Sequence, residues 1–462
     1  MSERKVVIIG SGLGGLACGA MLSREGYDVT ILEQTAQIGG CLQCFYRYGV
    51  KYETGMHFIG SAKDGQTLDR LLRFLEIKKD IQLSQLDTNG YDIISLEGEK
   101  FAFVNGKDGF IEQMTGYFPK QRDNIVAYYS LVEKVVAASS LHSLQIECAD
   151  DAVNTEYQLK SINDVIDNVI SDPLLAKVLV GNLPLYAAEE GKTPFSTHAF
   201  IMDFYNQSAF RIVGGSDIIA ESLKSTIEKY GGVVLANRKV TKIICDEQKA
   251  VGVEINGDDF MSADFIISDV HPKRTLEMID SKLIRPAFRK RIENIPQTTG
   301  VFSVYLEFND KEMPYMNHNF FGYNYDSPWG CEEYDKSNGP KGYLYMHLCH
   351  EQNPIFAKTG VILSYMDINE LVSWTNTTIG KRGSDYEIFK RDRAEILMAS
   401  VEKQFPGFRC KVRRYFTSTP LTYLRIQVQK YGDIGFPDHR SVHLLKERIV
   451  EGRSFERGRL IC

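Results

Sequence analysis

The stretch over residues 6–60 constrains the fold of this 462-residue chain more than any other part. Residues 6–9 form a continuous apolar run that ends in the glycine-rich turn at residues 10–15, and this pattern predicts a buried parallel strand feeding a tight turn. Apolar residues at helical spacing follow the turn, and a second predicted strand, Asp28–Leu32, ends at Glu33. The order of strand, turn, helix and strand predicts a nucleotide-binding α/β unit.

The turn has the spacing G-x-G-x-x-G, which is a dinucleotide fingerprint when a strand precedes it and a helix follows it. Gly10 makes the tight turn, Gly12 lets the backbone approach a pyrophosphate, and Gly15 permits close packing of the helix on the strand. The helix N-terminus offers free N–H groups to the phosphates, and Glu33 would accept hydrogen bonds from a ribose hydroxyl. Many glycine-rich turns only reverse the chain, but this context predicts a dinucleotide site. The candidate residues are Gly10, Gly12, Leu13, Gly14, Gly15 and Glu33.

The residues after this unit indicate which dinucleotide binds. Gly39 and Gly40 follow Glu33 closely, and residues 45–60 alternate toward Gly-Met-His-Phe-Ile-Gly. This run resembles the N-terminal signature of the flavoprotein superfamily of phytoene desaturases, carotenoid isomerases and amine oxidases. Within that group it is most similar to the all-trans-retinol 13,14-reductase (retinol saturase) branch, although Glu53 stands where the group usually has Asp. The resemblance implies FAD rather than NAD as the cofactor, with Gly39 and Gly40 at its site.

The resemblance also implies the architecture. It covers about residues 5–425 and implies an α/β fold, in which a Rossmann-like FAD-binding domain of the amine-oxidase type is interleaved with a mixed-sheet α+β substrate domain. In the second FAD-domain segment it places the backbone of Val240 against the adenine. The expected segments are 1–75 and 206–290 for the FAD-binding domain, with 406–425 as a further candidate, and 76–205 and 291–405 for the substrate domain.

Two patterns bear on the substrate domain. Residues 183–210 are rich in apolar and aromatic side chains, which either line an apolar tunnel or pack in the core. Residues 381–405 predict a long helix. Its expected inward-facing residues are Ile388, Ile396, Leu397 and Val401.

Composition excludes some classes of function. The net charge of −6 argues against general nucleic-acid binding, and no stretch approaches the ~20 apolar residues that span a bilayer. The chain opens on a short polar segment without a leader pattern, which predicts a cytoplasmic protein. An apolar substrate would favour additional peripheral contact with a membrane through an exposed apolar mouth.

The resemblance implies an oxidoreductase that moves hydride between flavin and a carbon–carbon double bond of a long apolar polyene, by saturation, desaturation or isomerisation. NAD(P)H is a candidate electron donor. Flavin supplies the hydride chemistry, and saturation also needs a proton donor. His57, Tyr52 and Tyr186 are candidates for that donor, but the residue pattern assigns none of them, and no metal site is predicted.

A second interpretation comes from the cysteines. Nine cysteines scattered over a long chain predict reduced thiols, yet Cys41 and Cys44 form a C-x-x-C pair beside the flavin site. Such a pair would suit a flavin-dependent disulfide reductase. The commoner outcome for thiols placed like this is packing against the cofactor.

A third interpretation comes from the C-terminal end. Superfamily members close the fold with a glycine-rich stretch and an apolar helix, whereas residues 426–462 form a basic, arginine-rich run. A shifted reading frame or a divergent native tail would explain this difference. The first explanation predicts an FAD-binding protein that lacks its closing segment and is catalytically incomplete.

Overall fold

The structure is a computed structural model that describes residues 4–145, 150–295, 299–331, 339–378, 380–426 and 460–461. The strands are β1 (Lys5–Ile9), β2 (Asp28–Leu32), β3 (Cys44–Arg47), β4 (Val50–Glu53), β5 (Ile59–Gly60), β6 (Leu83–Gln85), β7 (Asp92–Leu96), β8 (Glu99–Phe103), β9 (Ala209–Ile212), β10 (Val233–Leu235), β11 (Val240–Cys245), β12 (Ala250–Ile255), β13 (Asp259–Ser262), β14 (Phe265–Ser268), β15 (Gly300–Phe308), β16 (Asn319–Tyr323), β17 (Gly342–His347), β18 (Thr359–Met366), β19 (Val412–Ser418) and β20 (Leu460–Ile461). The helices are α1 (Leu13–Arg24), α2 (Thr67–Phe74), α3 (Lys107–Tyr117), α4 (Arg122–Ala137), α5 (Ser140–Ser143), α6 (Asp151–Leu159), α7 (Ile162–Val169), α8 (Pro173–Leu179), α9 (Phe195–Gln207), α10 (Asp217–Lys229), α11 (Pro272–Glu277), α12 (Pro286–Glu293), α13 (Ser384–Gln404), α14 (Phe408–Lys411) and α15 (Pro420–Ile426).

A parallel sheet with the order β10-β2-β1-β14-β20 forms the nucleotide domain. β1 lies at its centre, where Ile8 pairs with Ile31 on one side and Ile267 on the other. Four of the five β1 residues are buried, because a central parallel strand is covered on both faces. Helices α1 and α10 pack against each other and against strands of this sheet.

A seven-stranded sheet with the order β19-β15-β18-β17-β16-β7-β8 forms the second domain, which the sequence analysis expects to be the substrate domain. Its neighbours are antiparallel except for β16 and β7, so the sheet is mixed, as predicted. The segment 406–425 was a candidate part of the nucleotide domain. The structure instead pairs β19 with β15, which assigns this segment to the substrate domain.

Two further details differ from the sequence-based expectation. Ile77 and Ile81 are buried in the core of the nucleotide domain, so that domain extends beyond residue 75. On α13, Leu397 is buried as expected, whereas Ile388 and Ile396 are 46% and 39% exposed. Val401 is also buried. Most of the expected C-terminal tail, residues 427–459 and 462, lies outside the described residues.

A buried polar relay joins the two domains. Arg211 on β9 donates from Nη2 to Asn319 Oδ1 at 2.9 Å, and Asn319 Nδ2 donates to Asp92 Oδ1 at 2.8 Å. Arg211 Nη1 also lies 3.5 Å from the carbonyl oxygen of His57. The three side chains of the relay are at most 1% exposed. β9 belongs to a small sheet with β5 and β6, so the relay fixes that sheet against the first residues of β16 and β7 in the substrate sheet.

Within the described part of the chain, no helix combines the length and the hydrophobicity needed to cross a bilayer.

The relay predicts a pH dependence of stability. Burial raises the pKa of Asp92 to about 7, whereas an unfolded chain leaves an aspartate near its ordinary value of about 3.9. Because the folded-state pKa is the higher one, the folded state keeps a proton that the unfolded state releases, and stability falls as pH rises through this window. We expect the free energy of unfolding of Asp92→Asn, measured relative to that of the parent in denaturant unfolding, to be higher at about pH 8 than at about pH 5. The expected change is on the order of 2 kcal/mol. Asp259→Asn, at an exposed position of β13, is the control. An equal stability difference at both pH values would contradict the prediction.

Candidate functional site

The glycine turn has the geometry of a backbone cradle. Gly10 has a φ of +97° and donates its N–H to the carbonyl oxygen of Leu32 at 2.9 Å. A Cβ atom at Gly15 would lie 2.4 Å from the carbonyl oxygen of Gly10, so the helix and the turn touch where only glycine fits. Gly12 immediately precedes α1 and, as a glycine, has no side chain of its own that could cap the helix.

The second glycine pair closes on this turn. Gly39 donates its N–H to the carbonyl oxygen of Ser11 at 2.9 Å, and both Gly39 and Gly40 have positive φ. A Cβ atom at Gly40 would lie 3.2 Å from Gly12 Cα. The structure therefore brings the two glycine motifs, which are far apart in the sequence pattern, into one cleft.

The N-terminal end of α1 is open toward this cleft. Leu13 is 48% exposed, Gly14 is exposed, and the first turn of the helix carries no acidic side chain. Free N–H groups and the positive end of the helix dipole make such an end suitable for phosphate groups. The predicted site residues Gly10, Gly12, Leu13, Gly14, Gly15, Gly39 and Gly40 surround it.

Both carboxylate oxygens of Glu33 already accept hydrogen bonds from the protein, which the sequence did not indicate. Its Oε2 accepts hydrogen bonds from Ser11 N and Oγ at 3.1 and 2.7 Å, and its Oε1 accepts from Thr35 N and Oγ1 at 2.9 Å each. A carboxylate has about four acceptor sites, so all of them are in use. To bind a ribose, Glu33 would exchange one of the two side-chain hydroxyls for a ribose hydroxyl. Its contact with ribose stays a prediction.

Val240 lies near the same strand end. Arg238 N donates to the carbonyl oxygen of Glu33 at 2.7 Å, and Val240 packs in one cluster with Leu32. The backbone of β11 therefore starts beside the expected ribose position. Contact between Val240 and adenine remains a prediction.

Asp269 was not among the candidate residues, yet it lies against the glycine turn. It follows β14 directly, and a Cβ atom at Gly12 or Gly14 would lie 2.8 Å from its Oδ2 or 2.6 Å from its Oδ1. The carboxylate also accepts a hydrogen bond from Gly15 N. The sequence could have indicated this residue. The carboxyl ends of adjacent parallel strands meet at one edge of a sheet, and Asp269 directly follows β14, the parallel neighbour of β1.

A cavity of about 200 Å³ lies between the cleft and the substrate sheet. Cys41, next to Gly40, borders it, so the cavity begins where the glycine pair ends. No Asp, Glu, Lys or Arg occurs among its lining residues in the described ranges. The lining comprises Cys41, Thr54, Gly55, Met56, His57, Phe58, Pro184, Leu185, Tyr205, Val301, Cys331, Gly342, Tyr343, Leu344, Met346, Leu363, Ser364, Tyr365 and Tyr423.

His57 is the one imidazole among the described residues that line this cavity. Its Nδ1 lies 3.2 Å from Glu53 Oε2, and both side chains are buried. A carboxylate bound to one ring nitrogen fixes the orientation of the ring and leaves the other nitrogen for a ligand. The cavity thus contains one positioned acid–base group.

The other two candidate proton donors lie elsewhere. The hydroxyl of Tyr186 is 2.9 Å from Nδ1 of His198, and burial lowers the pKa of that histidine to about 3. Tyr52 is fully buried, with its ring centroid 4.9 Å from that of Phe416. Neither tyrosine lines the cavity, and both belong to the core.

The expected tunnel at residues 183–210 is formed only in part. Pro184, Leu185 and Tyr205 line the cavity, whereas Phe195 is fully buried in the core. Some residues of this segment therefore line the cavity, and others pack in the core.

Cys41 and Cys44 lie in different environments, unlike the two thiols of a reactive pair. Cys41 is exposed and borders the cavity, while Cys44 is buried with its Sγ 3.7 Å from Ser216 Oγ. Burial raises the pKa of Cys44 to about 11. Because the thiolate is the reactive form, this environment disfavours the dithiol chemistry of a disulfide reductase.

Comparisons with known proteins agree with this geometry. Residues 13–379 match the family described as flavin containing amine oxidoreductase. All-trans-retinol 13,14-reductase of Rattus norvegicus is 27% identical over 459 residues, covering 90% of this chain and 74% of the reductase. Prolycopene isomerase 1 of an Oncidium hybrid cultivar is 24% identical over 464 residues, covering 94% of this chain and 75% of the isomerase.

Solved structures confirm the predicted fold class. The CLA-producing fatty acid isomerase from P. acnes has a TM-score of 0.59 and 15% identity, covering 98% of this chain and 99% of the isomerase. At this level of identity the likeness concerns the fold alone. It agrees with the parallel nucleotide sheet and the mixed substrate sheet described above.

The glycine geometry predicts that substitution of Gly15 lowers stability, whereas substitution of Gly12 weakens FAD binding. Gly15→Ala places its Cβ against a backbone oxygen that cannot move away, so we expect it to destabilise the apoprotein by about 1–3 kcal/mol. Gly12→Ala meets only the end of the Asp269 side chain, so we expect it to fold normally and to bind FAD more weakly, by roughly tenfold or more. Thermal melts and FAD titration of the apoprotein measure the two effects. Gly116→Ala, at a helical position with open space around it, is the control, and a melt of Gly15→Ala equal to that control would contradict the prediction.

Proposed function

This chain belongs to the flavin containing amine oxidoreductase family, and from that premise we propose that it is an FAD-dependent oxidoreductase acting on carbon–carbon double bonds of an apolar polyene. The substrate class is that of retinoids and carotenoids. The named relatives support it, since one is a retinol 13,14-reductase and another a prolycopene isomerase. Saturation, desaturation and isomerisation of such a double bond are all compatible with this proposal.

The observation that carries the proposal is the uncharged cavity beside the cofactor cleft. A lining of apolar and uncharged polar side chains suits an apolar ligand, since ligand sites are lined mainly by hydrophobic and aromatic residues with a few polar groups. A cationic amine or a carboxylate would be desolvated there without an opposite charge, which is strongly unfavourable. The aromatic side chains Phe58, Tyr205 and Tyr343 offer apolar faces to a conjugated chain instead.

The residues of the cleft fit FAD. The cradle at Gly10–Gly12–Gly15 would hold the pyrophosphate, and Glu33 would hold the adenosine ribose. Because Gly40 contacts the cradle and Cys41 borders the cavity, a dinucleotide in the cleft would extend toward the cavity. Bound FAD would supply the hydride chemistry, which no protein side chain provides.

The chain itself supplies the proton, and His57 is the group placed to do so. Glu53 holds Nδ1, and the contact between Arg211 and the carbonyl oxygen of His57 fixes the backbone. Nε2 is therefore the ring nitrogen that could donate to a substrate carbon or remove a proton from it. Tyr205 also lines the cavity and is the alternative donor, but burial raises its pKa and makes it a weaker acid than an ordinary tyrosine.

The proposal extends to NAD(P)H as the electron donor, to a cytoplasmic location and to peripheral membrane contact. These three points rest on the resemblance and on the apolar nature of the substrate. A polyene partitions into membranes, so a protein that collects it there would have its cavity mouth near the lipid surface.

The proposed reaction is tested by anaerobic reoxidation of the reduced flavoprotein. Purified protein is loaded with FAD, reduced photochemically, and mixed with a panel of retinoids and carotenoids. We expect at least one polyene to restore the spectrum of oxidised flavin and to yield a product with an altered double bond. Putrescine, an amine, is the comparison ligand; it is mixed with the oxidised flavoprotein and should leave the oxidised flavin unreduced. The same panel is mixed with the oxidised flavoprotein. If no polyene reoxidises the reduced flavin, reduces the oxidised flavin or changes in its double bonds with either form, the substrate class is refuted.

The proton donor is tested with the same assay. We expect His57→Asn to slow reoxidation by roughly 100-fold or more, because a positioned general acid contributes about 10²–10⁴ in rate. FAD binding and quenching of flavin fluorescence by the polyene should stay unchanged. Tyr205→Phe is the matched variant and should retain near-normal rates. The reverse ranking of the two variants would assign the proton to Tyr205 instead.

A further inference from the structure

Asp269 places a carboxylate at the cradle that would hold the pyrophosphate. Its two oxygens lie against Gly12 and Gly14, and one accepts the N–H of Gly15 in the first turn of α1. The strand β14 fixes this position, because Asp269 N donates to the carbonyl oxygen of Ile9 at 2.8 Å. An anionic group therefore already uses part of the anion-binding end of this helix.

The environment of Asp269 raises its pKa. Partial desolvation of the carboxyl group raises the pKa most, the hydrogen bond from Gly15 N lowers it, and the negative charge of Glu33 raises it. The residue itself is exposed to solvent. On α1, burial raises the pKa of the Cys18 thiol, and the charge of Asp269 raises that pKa further.

FAD at the cradle would increase both the desolvation of Asp269 and the negative charge around it. A pyrophosphate held at Gly12 and Gly14 would lie beside the Asp269 carboxylate, would cover part of its exposed surface and would bring negative charge close to it. Desolvation and a like charge both disfavour an ionised carboxylate. A protonated carboxyl keeps an oxygen for the N–H of Gly15 and gains an O–H that can donate to a phosphate oxygen.

We infer that FAD binding to this protein is coupled to the uptake of a proton at Asp269, so that the protein binds FAD more tightly as the pH falls. The inference rests on the proposed FAD site. By linkage, the ligand that favours the protonated state must bind that state more tightly. Asp269 thereby becomes a residue that sets cofactor affinity, in addition to the glycines that shape the cradle.

The test is calorimetric titration of the apoprotein with FAD in buffers of different ionisation enthalpy. We expect uptake of up to one proton per FAD, and a dissociation constant that rises by roughly tenfold between about pH 6 and about pH 8. For Asp269→Asn, which keeps an acceptor oxygen for Gly15 N, we expect no proton uptake and a flat pH profile. At the higher pH this variant should bind FAD roughly tenfold more tightly than the parent protein.

Two further variants complete the design. Asp259→Asn removes the same charge from an exposed position of β13 and should behave like the parent protein. Asp269→Ser replaces Asp269→Asn if the latter does not fold, and should also abolish the proton uptake. FAD binding by the parent protein without proton uptake would overturn the inference and leave the proposed function standing. Failure of the parent protein to bind FAD at any pH would overturn both.

Discussion

The pairing of β1 with a parallel strand on each side is the interaction on which the rest of this structure depends. β2 and β14 run alongside β1 in the same direction, so the carboxyl ends of the three strands lie at one edge of the sheet. That edge receives the glycine turn from β1, Glu33 from β2 and Asp269 from β14. None of these groups would form a site on its own, and together they surround the cleft that is proposed to hold the phosphates and the ribose of FAD.

The substrate cavity depends on a second set of contacts between the domains. The hairpin of β3 and β4 leads from the glycine pair to His57, and it packs on the substrate sheet through Phe45 and Tyr52 against Tyr305 and Phe416. The ring centroids in this cluster lie 4.9–5.9 Å apart, as in favourable aromatic pairs. The relay through Arg211 holds the other side of the same segment. His57 is thus fixed by both domains at once.

Local patterns in the sequence were sufficient for the nucleotide unit. The bounds of β2 were predicted as observed, and the glycine spacing identified the cradle, because these features depend on neighbours within a few residues. Asp269 and the relay partners of Arg211 were not predicted, since they act through contacts between distant segments. The inward assignment of Ile388 and Ile396 failed for a related reason: helical spacing identifies apolar residues, but tertiary packing decides which side of a helix is covered.

The interleaved order of segments has a consequence for how this chain can be made. Lys5 donates to Asp264, which lies 259 residues further along, and the strand after Asp264 completes the sheet around β1. During synthesis, the edge of β1 that pairs with β14 therefore stays unpaired until more than half of the polypeptide has left the ribosome. Unpaired strand edges are sites of aggregation, and non-local pairing slows folding. We therefore expect the topology that brings the cofactor cleft together at one edge to leave the N-terminal segment prone to aggregation until β14 has been made.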